Sequence, residues 1–173
     1  SVATRASFAR LAPGHPVLSP GSVRGGKQIK MVSYAIAQDV VPDPCPENGV
    51  ALVYFSGYGD LRVHDHPGLE AAASASEVHA MFVFDAEQLA GMTDRQIRLL
   101  ASSVDDLRNN LAEYSIPLQI GRGDTATELK NAVQAKAITH LYVHSEPTAQ
   151  ARRVLHKAED AASASSTQVV PWA

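Results

Sequence analysis

The sequence predicts an α/β fold: one Rossmann-like, doubly wound domain on a five-stranded parallel sheet, four strands plus a short edge strand, preceded by an extended amino-terminal arm. Three observations lead there. Short apolar runs rich in strand formers alternate with helical stretches from Val50 onward. The first run, Ala51-Leu-Val-Tyr-Phe55, is apolar throughout, as a strand covered on both faces must be. Connections of helical length between such strands call for right-handed crossovers and therefore for parallel pairing. With 173 residues, 45% of them hydrophobic, there is material for one such core and not for a second large domain.

The arm is residues 1–49. It holds six of the ten prolines and five of the eleven glycines, and little in it repeats at a helical or strand period. On that composition it builds no core and is expected to order only against a partner, where burial offsets the entropy of fixing it. Lys27-Gln-Ile-Lys-Met-Val-Ser-Tyr-Ala-Ile-Ala37 suits a short strand or a short helix equally.

Residues 50–173 form the α/β domain. Val50–Phe55 is the first strand, followed by a glycine-bearing turn. A helix runs from Pro67 to about Ser76, with Asp65 as the expected N-cap and proline in the first turn. Val78–Asp85 is the second strand. Thr93 or Asp94 caps a long helix whose Ile97, Leu100, Val104, Leu107 and Leu111 recur every three to four residues and mark a core face. Pro117–Gly121 is a short third strand, and Asp124 or Thr125 opens a helix carrying Leu129 and Val133. Ile138–His144 is the fourth strand. Pro147 fits the first turn of a helix reaching Ala162, and Thr167–Trp172 is expected as a truncated fifth strand.

Net charge is −3, unevenly spread. Through Gln38 the chain carries Arg5, Arg10, Arg24, Lys27 and Lys30 with no Asp or Glu, and the remainder is acidic. A basic segment ahead of an acidic globule reads as an arm that docks on an anionic surface, so these five residues are the expected partner-binding set. The opening Ser1-Val-Ala-Thr-Arg-Ala-Ser-Phe-Ala-Arg10 is acid-free and bears Arg and Ser, like the end of an organelle transit peptide or the residues just past its cleavage site. The expectation is an imported protein. No apolar run approaches the roughly 20 residues of a membrane-spanning helix, so any membrane association is expected to be peripheral. The single cysteine, Cys45, has no internal disulfide partner and lies apart from any Cys/His set with metal-ligand spacing.

Ser56-Gly57-Tyr58-Gly59, between a strand and a helix, is the candidate ligand crevice, because ligands of open α/β sheets gather beyond the carboxyl ends of strands. It lacks the lysine of a phosphate loop and the full spacing of a dinucleotide fingerprint. His64-Asp65-His66 reads as a helix start with solvated imidazoles and not as a metal centre, since neighbours on a turn rarely converge on one ion. Asp60 and Arg62 are expected to pair and fix the loop. Arg122-Gly-Asp124 is a strand-to-helix turn that caps the next helix. Tyr54, Phe82 and Phe84 read as core. Nothing places a nucleophile beside a base, so no catalytic residue, no metal and no cofactor is assigned.

Leu61-Arg-Val-His-Asp-His-Pro-Gly-Leu69 strongly resembles the "DLRxHDNPAL" signature that follows the first strand in the photolyase/cryptochrome family. Four further blocks follow in the family's order: Phe82–Asp85 is similar to the "VFVFDP" strand, Leu99–Leu111 to "FLLESLxDLRxxL", Leu118–Asp124 to "LxVRxGD" and Leu141–Thr148 to "VYxNxExT". One departure is Ser56, which stands where the family's "WFRxDLR" has an arginine. The resemblance implies a stand-alone amino-terminal, antenna-type α/β domain lacking the helical domain that binds FAD and admits a flipped-out base, and hence neither FAD nor repair activity. The expected function is therefore a non-catalytic interaction protein: an assembly, repair or auxiliary factor on a larger, membrane-embedded complex. If the leader is a plastid one, that complex lies in the chloroplast thylakoid, with a photosystem as the best single choice. The alternative is a small-ligand or chromophore sensor taking a pterin, flavin or nucleotide. Nucleic-acid binding is not expected, because the globular part is acidic.

Overall fold

A computed structural model describes residues 41–173. Arg5, Arg10, Arg24, Lys27, Lys30 and the undecided segment 27–37 lie outside the described residues. The elements are β1 (Val50–Phe55), α1 (Pro67–Ala72), β2 (Glu77–Asp85), α2 (Ala86–Ala90), α3 (Asp94–Glu113), β3 (Leu118–Gly123), α4 (Thr125–Ala135), β4 (His140–His144), α5 (Ala149–Ala162) and β5 (Gln168–Trp172).

The five strands form one all-parallel sheet in the order β3-β2-β1-β4-β5. The chain steps outward from β1 to β3 and then returns to lay β4 on the other side of β1. The order reverses there, and the loops leaving the carboxyl ends of β1 and β4 part to opposite faces. Alternate residues of each strand enter opposite layers. Val53, Phe55, Phe82, Tyr142 and Trp172 pack under α1 and α3, whose Leu100, Val104, Leu107 and Leu111 are buried. Leu52, Tyr54, Met81, Val83, Leu141 and Val143 pack under α4 and α5, against Leu129, Val133, Ala158 and Ala161. Helices thus cover both faces, which is why β1 needed to be apolar from end to end.

Several boundaries differ from the expectation for physical reasons. The N-cap of α1 is His66, whose Nδ1 accepts the Leu69 amide at 3.0 Å, and not Asp65. An N-cap takes extended backbone, which His66 has, whereas Asp65 holds φ 52°. This helix stops at Ala72, short of Ser76. Thr93, rather than Asp94, caps α3 and forms a capping box with Gln96. β3 runs on from Gly121 to Gly123 because it follows β2 as far as the Asp85–Gly123 pair. Thr148 caps α5, so Pro147 lies before the helix and not in its first turn. The short α2, which the sequence pattern did not suggest, starts where the Asp85 carboxylate accepts the Glu87 amide at 2.8 Å.

β5 is a full partner of β4 along its length, from His140–Gln168 to His144–Trp172. Gln168 donates to Thr139 O and Trp172 O accepts from Ser145, so residues 168 and 172 face β4 and Pro171, between them in register, turns its nitrogen to the outer edge.

The chain just before β1 also packs on this domain. Cys45 donates its amide to Ala71 O at 2.9 Å, Tyr142 donates its hydroxyl to Asp43 O at 3.0 Å, and the Cys45 side chain is buried. Burial pushes the Cys45 thiol above its ordinary pKa, as for an unreactive core cysteine.

Candidate functional site

The carboxyl edge of the sheet is where an open α/β fold places its chemistry, and three clusters meet there. The first is the turn after β1. Gly57 and Gly59 hold φ of 82° and 79°, a left-handed backbone that bends the chain back on itself. That bend brings the carboxylate of Asp60, which is fully buried, under the strand end. It accepts Ser56 N at 2.6 Å, Ser56 Oγ at 2.9 Å and Gly57 N at 2.8 Å. The amides that a phosphate would meet in such a turn are therefore engaged by an acid three to four residues onward. Arg62 does not pair with Asp60: it points outward and donates to the carbonyls of Gly59 and Asp65. The expected ion pair is thus replaced by two separate caps, because inward amides attract the carboxylate while outward carbonyls attract the guanidinium.

The second cluster is centred on Asp85 at the end of β2. Besides the Glu87 amide, its carboxylate accepts Thr125 N at 3.0 Å, Thr125 Oγ1 at 2.7 Å and Lys157 Nζ at 2.7 Å. Lys157 also reaches Glu87 and Asp124, each at 3.4 Å, and Arg153 binds Glu87 at 2.9 Å. Burial pushes the Asp85 carboxyl up, but the Lys157 ammonium and the Thr125 and Glu87 donors outweigh it and hold the group well below the usual carboxylate range. Burial likewise lowers Lys157, and its three acidic neighbours more than compensate, so its pKa is raised. Tyr54 and Tyr58 are raised by burial. A carboxylate so depressed is a poor base and an ammonium so paired is a poor nucleophile.

Tyr54, Tyr58, Gln88, Thr125, Arg153 and Lys157 line a cleft of about 60 Å³ beside this cluster. Small-molecule sites begin at about 300 Å³. Of the candidate crevice, Ser56 and Gly57 lie beneath the turn with their amides held by Asp60, Tyr58 reaches the cleft wall, and Gly59 is exposed.

The third cluster is aromatic. His66 lies 5.0 Å from Phe55 and 4.4 Å from Trp172, ring centre to ring centre, and Trp172 lies 4.5 Å from His144. His66, His144 and Trp172 are 4%, 8% and 1% exposed, so two imidazoles sit in what is otherwise the apolar layer under α1. His64 is exposed, whereas His66 is buried and so is not the solvated imidazole expected, and among the described residues no three of His, Cys, Asp or Glu are grouped to hold a metal. Val63, His66, Leu69, Val78, Leu111 and Tyr114 border a groove of about 370 Å³ between α1 and the end of α3.

Of the other expectations, Tyr54 and Phe82 are core, and Phe84 is half-buried with its ring edge-on to Phe82 at 4.9 Å. Asp124 caps α4 by accepting Thr127 N at 2.9 Å, and Arg122, expected on the turn, is an exposed residue of β3. Sequence reasoning did not find the Asp85–Thr125–Lys157 hub or the His66–Trp172–His144 stack, whose members lie far apart in the chain.

An open parallel sheet that reverses at β1, with helices on both faces and a polar cluster at its carboxyl edge, defines the class: a doubly wound α/β domain. The DNA photolyase family model matches residues 51–172, from β1 through β5, and the chain belongs to the DNA photolyase family as its amino-terminal α/β domain. No curated protein matches the chain.

Proposed function

We propose that this is a non-catalytic, photolyase-like interaction protein, acting as an assembly, repair or auxiliary factor on a larger membrane-embedded complex and docking through its basic arm. One observation carries the reading. The polar groups at the carboxyl edge are engaged with one another: Asp60 with the turn amides, Asp85 with Thr125 and Lys157, and Glu87 with Arg153. Recognition is then left to the surface of the domain, and the basic, acid-free composition of the arm, with Arg5, Arg10, Arg24, Lys27 and Lys30, suits an anionic partner. Attachment through the arm leaves the domain peripheral, and among the described residues no helix is long and apolar enough to cross a membrane. The leader-like composition of Ser1–Arg10 supports import into an organelle; if that organelle is the chloroplast, the complex is a thylakoid one, with a photosystem as first choice.

The test is deletion of residues 1–40, which spares the contacts of Asp43 and Cys45. Retention on thylakoid membranes is expected to fall at least tenfold, with the far-ultraviolet circular dichroism of the domain unchanged. Changing the five basic residues to Gln is expected to reproduce most of that loss and to mimic high salt. Undiminished retention in both variants defeats the reading. The purified protein is also expected to be colourless beyond the aromatic band and to show no thermal shift with flavins, folates or nucleotides. A shift abolished by filling the Tyr54–Tyr58 cleft with Thr125→Met would instead favour a chromophore or ligand module.

A further inference from the structure

His66 is bound to its site by one neutral form only. Its Nδ1 must be unprotonated to accept the Leu69 amide, so the ring's proton is on Nε2, a buried atom with no hydrogen-bond partner among the described residues. Trp172 Nε1 and His144 Nδ1, the next two rings along the stack, are in the same condition. Gly68 makes the arrangement possible: a Cβ there would lie 2.6 Å from Trp172 Nε1, so only glycine lets the indole lie against the first turn of α1. Asp65, just before the cap, holds left-handed backbone at φ 52°, which an opened loop would relax.

We propose that the loop of residues 60–66 is an acid-released latch: protonation of His66 removes the acceptor that caps α1 and expels the imidazole from between Phe55 and Trp172, freeing the start of α1 and the end of β5. Only the backbone at His66 itself favours an added proton, and no neighbouring side chain does. Arg62 on the loop and His144 on β4 both oppose positive charge, β1 and β5 present only Phe55 and Trp172, and the loop's Asp65 and the helix's Glu70 are exposed and form no ion pair with His66. Burial is the larger cause and carries the imidazole from 6.5 down to about 4. The opened ring titrates near 6.5, so between those values the proton enters the open form. Open molecules are then expected to gain roughly 10-fold at pH 5.5 and roughly 30-fold at pH 5, relative to pH 7.5.

Trp172 is the only tryptophan in the chain, so its fluorescence reads the latch directly. On the full chain, iodide quenching of Trp172 and exchange of the Leu69 amide, corrected for its intrinsic pH dependence, are expected to rise together from pH 7.5 to 5. Circular dichroism should stay native over the same range. His66→Asn keeps a capping acceptor that does not titrate, and both signals are expected to go flat. An unchanged pH response in His66→Asn overturns the proposal. So does a wild-type His66 ring that titrates near 6.5 by NMR while the Leu69 amide stays protected, a measurement that needs no variant.

Discussion

Asp60→Ala is expected to lower stability by about 3 to 5 kcal/mol, the largest single effect at the carboxyl edge. The substitution strands the amides of Ser56 and Gly57 and the Ser56 hydroxyl in a place where Ser56 is 2% exposed and water has little access. Each buried donor without an acceptor costs about 1 to 3 kcal/mol, and a charged acceptor sits at the strong end of that scale. In a domain of this size the melting temperature should fall by roughly 10 to 20 °C. Ser56→Ala, which leaves both amides capped, should cost only about 1 kcal/mol. Urea unfolding followed by circular dichroism separates the two. If Asp60→Ala and Ser56→Ala came out alike, the carboxylate would not be what holds the turn.

Asp85→Ala is expected to be the next most damaging change, at about 3 to 4 kcal/mol near neutral pH. Its carboxylate joins the start of α2 through Glu87, the start of α4 through Thr125, and α5 through Lys157. The pH dependence has a definite sign. Because the folded-state pKa of Asp85 is depressed, its contribution is complete above the unfolded value near 3.8 and is lost as pH falls below that value toward the folded one. The wild type should therefore have an acid-sensitive limb below about pH 4 that flattens in Asp85→Ala. Lys157→Met should act differently, since Asp85 keeps its Thr125 and Glu87 donors; a loss of about 1 to 2 kcal/mol is expected. The raised Lys157 pKa places its contribution below the usual lysine value of 10.5, with loss as pH climbs through the folded value. An acid limb of equal steepness in wild type and Asp85→Ala would remove Asp85 from the account.

The order of strands and helices could be read from the chain because strand and helix periods are local properties, repeated within each run. The stripe of Leu100, Val104, Leu107 and Leu111 needed no partner to be recognised. Where a boundary depends on a distant neighbour, local pattern falls short. β3 ends at Gly123 and not Gly121 because β2 continues alongside it to Asp85. The cap of α1 falls on His66 because both Asp65 and His66 carry acceptors and only the backbone angle of each decides between them. The site shows the same division. Ser56-Gly57-Tyr58-Gly59 was visible as a glycine turn, but its spelling does not say that Asp60 folds back to fill it. Asp85, Thr125 and Lys157 lie 40 and 72 residues apart, and only strand order brings them together. The His66–Trp172 contact likewise requires β5 to lie two places from β1, which no local pattern announces.

The proline of β5 has a bearing on how this domain can meet another protein. Pro171 turns a nitrogen without hydrogen to solvent along a rim only five residues long, so that rim offers an incoming chain no continuous row of amides to zip onto. Growth by templated strand addition is blocked on that side. A companion arriving there has to read side chains instead of backbone, a form of contact that can be tuned one residue at a time and that keeps copies of the domain from pairing strand to strand along that rim.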